Sequence, residues 1–373
     1  MNKRLLIGLA KYGLGFGLLG YLLWRNWSPA PDGSAPGLSE LLSQPPQYGP
    51  LALACVLCLV SVLLTFVRWY VLVRAQALPF TIYNAMRLGL IGFFLSTFLP
   101  GSVGGDIFKA AFLAREQERR TVAVATVIVD RVVGLWALFW LVALVGSAFW
   151  LMGDPALLQH PSLQVVVWCA LGVVVFTTAL CGVLLVLPER SSTALIARLT
   201  RLPRIGGSAA EFWRAIWMYR NQWPSVVAAL LLSLVGHCGF VLTYYYAAQT
   251  FVAADQLPSL EEQLLIVPVG MCIQAAVPLP GGLGGGEYGF DKLFELVGYP
   301  KKGFIASMTY RLISWGLGLL GYLVYLRMRA EVAAIQHATD GTEPLPAADE
   351  AESSGPAPQA AVPVAAASLA IES

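Results

Sequence analysis

The chain has 373 residues, is 57% hydrophobic and only 12% charged, whereas a soluble domain carries about 25% charged residues. That composition excludes a soluble globular protein and points to a chain that crosses a membrane several times. The net charge of +2 says little about partners, because in a membrane protein the placement of charge matters more than its sum.

The first residues, "MNKRLLIGLAKYGLGFGLLGYLLW", put basic side chains before an apolar run. The run is too long for the core of a signal peptide and lacks a clear A-x-A site, so an uncleaved span over 5–25 is predicted. Five further spans follow at 51–73, 121–151, 163–187, 224–250 and 303–327, each long enough as a helix for the ~30 Å hydrocarbon core. Cys55, Cys58, Cys169, Cys181, Cys238 and Cys272 all lie in apolar runs. A lone C-x-x-C with no second pair or nearby histidine is a weak metal or redox signal, so they read as small packing residues. The segment 189–222, arginine-rich with interleaved tryptophans, reads as an amphipathic element attracted to anionic lipid headgroups at the cytoplasmic face. Nucleic acid is not expected, since these arginines directly abut spans and satisfy the orientation rule. The Ala/Pro-rich, acidic tail at 331–373 is predicted to be disordered and cytoplasmic.

Two apolar stretches, 88–115 and 263–298, are interrupted by glycine-rich motifs: "FLPGSVGGDIFK" at 98–109 and "PLPGGLGGGEYGFDK" at 278–292. If both turn back and the N-terminus is cytoplasmic, fifteen Lys and Arg residues face the cytoplasm. They are Lys3, Arg4, Arg74, Arg87, Arg115, Arg119, Arg120, the six arginines of 190–220, Arg327 and Arg329, against Arg25, Lys301 and Lys302 outside. If both cross, the excess moves outside, against the positive-inside rule. The first stretch is therefore read as re-entrant. Charge alone leaves the second open, because crossing merely exchanges Lys301 and Lys302 for Arg327 and Arg329.

An internal repeat bears on the second. Adding 180 carries Leu99-Pro100-Gly101 onto Leu279-Pro280-Gly281, Gly104-Gly105 onto Gly284-Gly285, and Arg131 onto Arg311 without a gap. The acids slip by one, Asp106 falling on Gly286 beside Glu287. Each copy is then a span, a broken element and a span, at about 51–151 and 224–327, with three crossings between corresponding spans. The copies are therefore inverted, an architecture that places transporter sites where discontinuous helices meet. The expected fold is an all-α polytopic membrane protein with six transmembrane helices and two re-entrant helical hairpins in an inverted repeat. At ~1.5 Å per residue the first break lies ~18 Å along its helix, and Arg131 and Arg311 lie ~15 and ~12 Å into theirs. All reach a similar depth.

Charge at that depth is costly and reads as functional by default. Glycines at a break free backbone N–H groups, and a following half-helix adds the positive end of its dipole. Arg131 and Arg311 supply forked donors suited to phosphate or carboxylate. Asp106 and Glu287, each opening a half-helix, would cap it and hold an arginine until a ligand arrives. The candidate substrate-binding set is Pro100, Gly101, Gly104, Gly105, Asp106, Lys109, Asp130 and Arg131, with Pro280, Gly281, Gly284, Gly285, Glu287, Tyr310 and Arg311. The alternative weighed against it is that the acid–arginine pairs are permanent and only fix the hairpins. Lys11 and Arg68 are read as snorkelling or paired, and His237 more readily as a packing residue than as a proton carrier. No catalytic residue, metal or cofactor is expected. Val103 breaks the G-x-G-D pattern of an intramembrane aspartyl protease, and no convincing Ser–His or metal cluster is evident.

These motifs, with "VDRVVGLWAL", "PLPGGLGGGEYGFDKLFELVG" and "YRLISWGLG", resemble the transmembrane region of lysylphosphatidylglycerol synthases, the flippase-like membrane family. The resemblance covers about residues 5 to 330. It implies an integral plasma-membrane protein of prokaryotic type, related to domains that move aminoacylated phospholipids between leaflets. The bifunctional synthases also carry a soluble aminoacyl-transfer domain for which this chain has no room, so lipid aminoacylation is not implied. The expected function is translocation of a phospholipid or lipid-linked anionic headgroup. The alternatives are an ion-coupled transporter of a small organic anion and a membrane partner of a lipid-modifying transferase. Candidate protein partners are a second copy of the chain or such a transferase.

Overall fold

Every regular element among the described residues is helical. In an apolar solvent a helix satisfies its own backbone groups, which is why such segments fold this way. The computed structural model describes residues 3–29, 36–98, 104–117, 119–153, 160–186, 188–201 and 206–328. The Leu99-Pro100-Gly101 part of the first motif and the 331–373 tail lie outside the described residues. In chain order the helices are α1 (Lys3–Trp27), α2 (Leu38–Ser43), α3 (Tyr48–Ala75), α4 (Ile82–Phe98), α5 (Gly104–Glu116), α6 (Arg120–Met152) and α7 (Pro161–Val186). They continue with α8 (Glu189–Leu199), α9 (Gly206–Met218), α10 (Trp223–Gln249), α11 (Leu260–Ala276), α12 (Gly285–Leu296) and α13 (Lys302–Arg327).

Among the described residues four stretches are long and apolar enough to cross a membrane: Tyr48–Ala75, Arg120–Met152, Pro161–Leu184 and Arg220–Gln249. The expected spans at 5–25 and 303–327 form helices of 25 and 26 residues, also long enough for the ~30 Å core but richer in charge. The basic segment 189–222 forms two helices, α8 and α9. Trp213 of α9 donates its indole N–H to Ser192 of α8 over 2.9 Å.

Each glycine-rich motif joins two shorter helices that fold back on one another. In the first hairpin, Gly92 lies against Lys109 and the Gly105 carbonyl, and Gly105 N–H donates to Ser96 Oγ over 3.2 Å. A shift of 180 carries Gly92 and Lys109 onto 272 and 289. In the second hairpin Gly289 lies against Ile273 and Gly285 against Val277, so the register is kept to within one residue. The second hairpin starts with a capping box: Ser259 Oγ accepts from Glu262 N–H, and the Glu262 carboxylate accepts from Ser259 N–H.

The packing repeats as well. The helix α5 lies on α6 as α12 lies on α13, and α3 touches α4 as α10 touches α11. The first arm of each hairpin leans on the last long helix of the other half, α4 on α13 and α11 on α6. The corresponding first helices, α3 and α10, share the most extensive seam in the molecule. Helices in lipid gain little from apolar burial against one another and rely on close packing of small residues. A Cβ at Gly105 would come within 1.9 Å of the Gly92 carbonyl oxygen, one at Gly303 within 2.0 Å of the Phe290 oxygen, and one at Gly321 within 2.2 Å of the Leu90 oxygen.

Candidate functional site

The second break meets the end of α4, the first arm of the other hairpin. At Gly281, a Cβ would lie 3.2 Å from the Thr97 carbonyl oxygen, near the end of α4. Gly281 and Gly284 have φ of 53° and 79°, a left-handed conformation that glycine adopts without a steric cost. The turn between α11 and α12 is thereby tight enough to bring its tip against the end of α4. Phe98 packs on Trp315 of α13, their ring centroids 6.3 Å apart. The helix α1 closes one side: Tyr12 donates its hydroxyl to the Phe98 carbonyl, while Gly15 and Leu18 lie against Leu283 and Gly284.

An acid in the first turn of each half-helix pairs with an arginine of the following long helix. Asp106 of α5 accepts from Arg131 of α6, and Glu287 of α12 accepts from Arg311 of α13. The one-residue slip between the acids is absorbed by the longer Glu side chain. The pairs differ in access. The side chains of Arg131 and Asp106 are 31% and 22% exposed, against 3% and 1% for Arg311 and Glu287. In the first half, Lys109 stands 4.0 Å from Asp106, with its ammonium over the rings of Trp69 and Phe66 at 5.2 and 5.9 Å. Two cations and one carboxylate therefore form a partly exposed cluster. In the second half, Glu287 also accepts from Gly284 N–H over 2.7 Å. Arg311 donates to the Gly281 carbonyl over 3.1 Å, while its Nη2 is buried with no partner.

The remaining members of the set, and other charges near them, have surroundings of their own. Asp130, next to Arg131 in sequence, faces away from the breaks and accepts both oxygens' bonds from Arg68 of α3, at 2.7 and 3.1 Å. Tyr310 is partly buried in a stack of rings. It stacks on Tyr244, which stacks on Phe290, each pair of centroids 4.4 Å apart. Lys292 pairs with Glu295 at 2.7 Å on a half-exposed surface. Asp291 and Glu295 stand 3.9 and 3.8 Å from Arg25. Pro280 is buried in the tight turn, and Gly285 lies against Val277. Gly104 begins α5, whereas Pro100 and Gly101 lie outside the described residues.

Two residues around the second break escape a reading of the sequence. Gln274 donates to the Gly281 carbonyl over 3.3 Å and accepts from the Tyr244 hydroxyl over 3.2 Å. Its only sequence signal is an isolated amide inside "GMCIQAAVPLP". Tyr12 carries none, because its partner is a backbone carbonyl remote in sequence.

Paired helical hairpins, each with an acid–arginine pair, and long apolar helices define an integral membrane protein. The chain belongs to the family described as the lysylphosphatidylglycerol synthase TM region, whose family model matches residues 14–321. That family suggests a membrane function related to lipid. Comparison with curated proteins and with solved structures gives no match.

Proposed function

We propose that this protein is a lipid translocase that carries a phospholipid or lipid-linked anionic headgroup between leaflets while the acyl chains stay in the bilayer. On this reading six helices span the membrane, and the two hairpins enter from opposite faces as inverted repeats. Both termini lie in the cytoplasm, in the prokaryotic plasma membrane. Asp106 and Arg131 then face the cytoplasmic half, and Glu287 and Arg311 the outer half. The observation that carries the reading is the pair of matched acid–arginine bridges on two hairpins that touch, the second break lying against the end of α4. Each arginine can exchange its carboxylate for a phosphate, because its fork fits either bidentately. The difference in access fits a resting state in which the first site is open and the second closed. Alternating access would reverse the two. The α8–α9 segment would rest on anionic headgroups at the cytoplasmic face, with Arg220 over Trp217 at 4.9 Å.

The test is headgroup-resolved transport in reconstituted liposomes. Labelled anionic and zwitterionic phospholipids should cross faster than in empty vesicles, and Arg131→Ala and Arg311→Ala should bring the rate back toward that background. Equal transport by wild type and both variants would remove these arginines from the mechanism. No transport of any headgroup by folded wild-type protein would refute translocation itself.

A further inference from the structure

Where α3 and α10 cross, at the seam between the two halves, lies a small cavity of about 10 Å³. Its wall includes Thr65 and Arg68 of α3 and Ser233, Gly236 and His237 of α10. The polar residues here have no counterparts in the repeat: a shift of 180 takes Arg68 to Ala248, Asp130 to Tyr310, and His237 back to Leu57. This is a feature of the seam, independent of the two tips.

Hydrogen bonding leaves one acceptor unmatched. His237 Nε2 stands 2.9 Å from the Gly134 carbonyl of α6. A carbonyl can only accept, so Nε2 carries the proton and Nδ1 of the neutral ring is left as an acceptor. That Nδ1 is buried without a partner, in a residue only 7% exposed. Arg68 has donors to spare. Its Nε and Nη2 each give one bond to Asp130, and Nη1 gives one to Ser233 Oγ over 3.1 Å. Of its five N–H groups two remain. Arg68 reaches the same point of α6 as the imidazole, since a Cβ at Gly134 would lie 2.6 Å from Nη1.

An orphaned acceptor and spare donors border one cavity, whose size is that of a single water, roughly 10–15 Å³ on the same measure. We propose that this cavity binds one ordered water, which accepts from the Arg68 guanidinium and donates to His237 Nδ1. The water joins the first helices of the two halves through a polar link that neither side chain can make alone. It satisfies the imidazole in its neutral form. The proposal does not depend on what the protein carries.

The chain has three histidines, so His160→Gln with His337→Gln leaves His237 as the single imidazole. Nitrogen-15 NMR of that protein in lipid should show a neutral Nε2–H tautomer. Its Nδ1 resonance should be shifted to the position of a hydrogen-bonded acceptor, with a cross-peak to water. Gly236→Ala provides the paired measurement. Its methyl meets nothing closer than 3.8 Å, so it narrows the cavity without a clash, and the water cross-peak should weaken or vanish while the tautomer stays. An Nδ1–H tautomer overturns the proposal. So does an unbonded Nδ1 with no water cross-peak in folded protein, or a water signal untouched by Gly236→Ala.

Discussion

The two acid–arginine bridges match in sequence but not in surroundings, and stability measurements should separate them. Glu287→Ala removes a carboxylate from a site where both partners are almost wholly buried. Arg311 would be left with its bond to the Gly281 carbonyl as the only remaining one described. Removing one partner of a buried ion pair costs about 3–5 kcal/mol, because the other charge stays desolvated. The lost bond from Gly284 N–H at the start of α12 adds about 1 kcal/mol, as for the loss of a helix cap. The expected total is about 4–6 kcal/mol. Asp106→Ala leaves Arg131 on a side chain 31% exposed, where water or headgroups can replace the carboxylate, and pairs of this kind are worth about 1 kcal/mol or less. Reversible unfolding of the reconstituted protein, followed by steric trapping or in mixed micelles, measures both. Glu287→Gln combined with Arg311→Met should recover part of the loss, since neither charge is then stranded. Equal costs for Glu287→Ala and Asp106→Ala would refute the argument that burial sets the two sites apart.

Glycine substitutions should divide in sign. Gly105→Ala drives a methyl onto the Gly92 carbonyl and should destabilise by about 1–3 kcal/mol or more, whereas Gly172→Ala, inside α7, meets nothing within 4 Å and should stabilise by about 0.5–1 kcal/mol. Thermal denaturation of both reads the difference. Cysteines at Thr97 and Gly281, in a background free of other cysteines, should cross-link readily with a short thiol reagent because the end of α4 touches the second break; failure to do so would separate the hairpins. Tyr12→Phe removes the hydroxyl bond to the Phe98 carbonyl and should cost about 1 kcal/mol, with faster hydrogen exchange in α1.

Local patterns made the helices and the duplicated hairpins legible. Continuous apolar runs such as 163–187 have one low-cost solution in lipid, and proline with glycine at a constant offset of 180 marks a break wherever it occurs. The two bridges were also readable, because an acid opening a half-helix and an arginine well inside the next helix have few other partners. Asp130 shows where this reasoning stops. Adjacent to Arg131, it still lies about 100° around the helix from it, so it faces α3 and Arg68 rather than the breaks. The Tyr310 ring is taken up in the same way by Tyr244, from a helix more than sixty residues earlier.

The sequence alone determined that the chain is helical, membrane-bound and twice interrupted by glycine-rich motifs, because hydropathy and backbone breaks act over a few turns of chain. Only the tertiary structure decided which charges face one another, that the first acid–arginine pair is partly exposed and the second buried, and that α3 and α10 meet around an unmatched imidazole. Those outcomes depend on the rotation of each helix about its axis and on contacts between residues far apart in the chain. No local pattern encodes either.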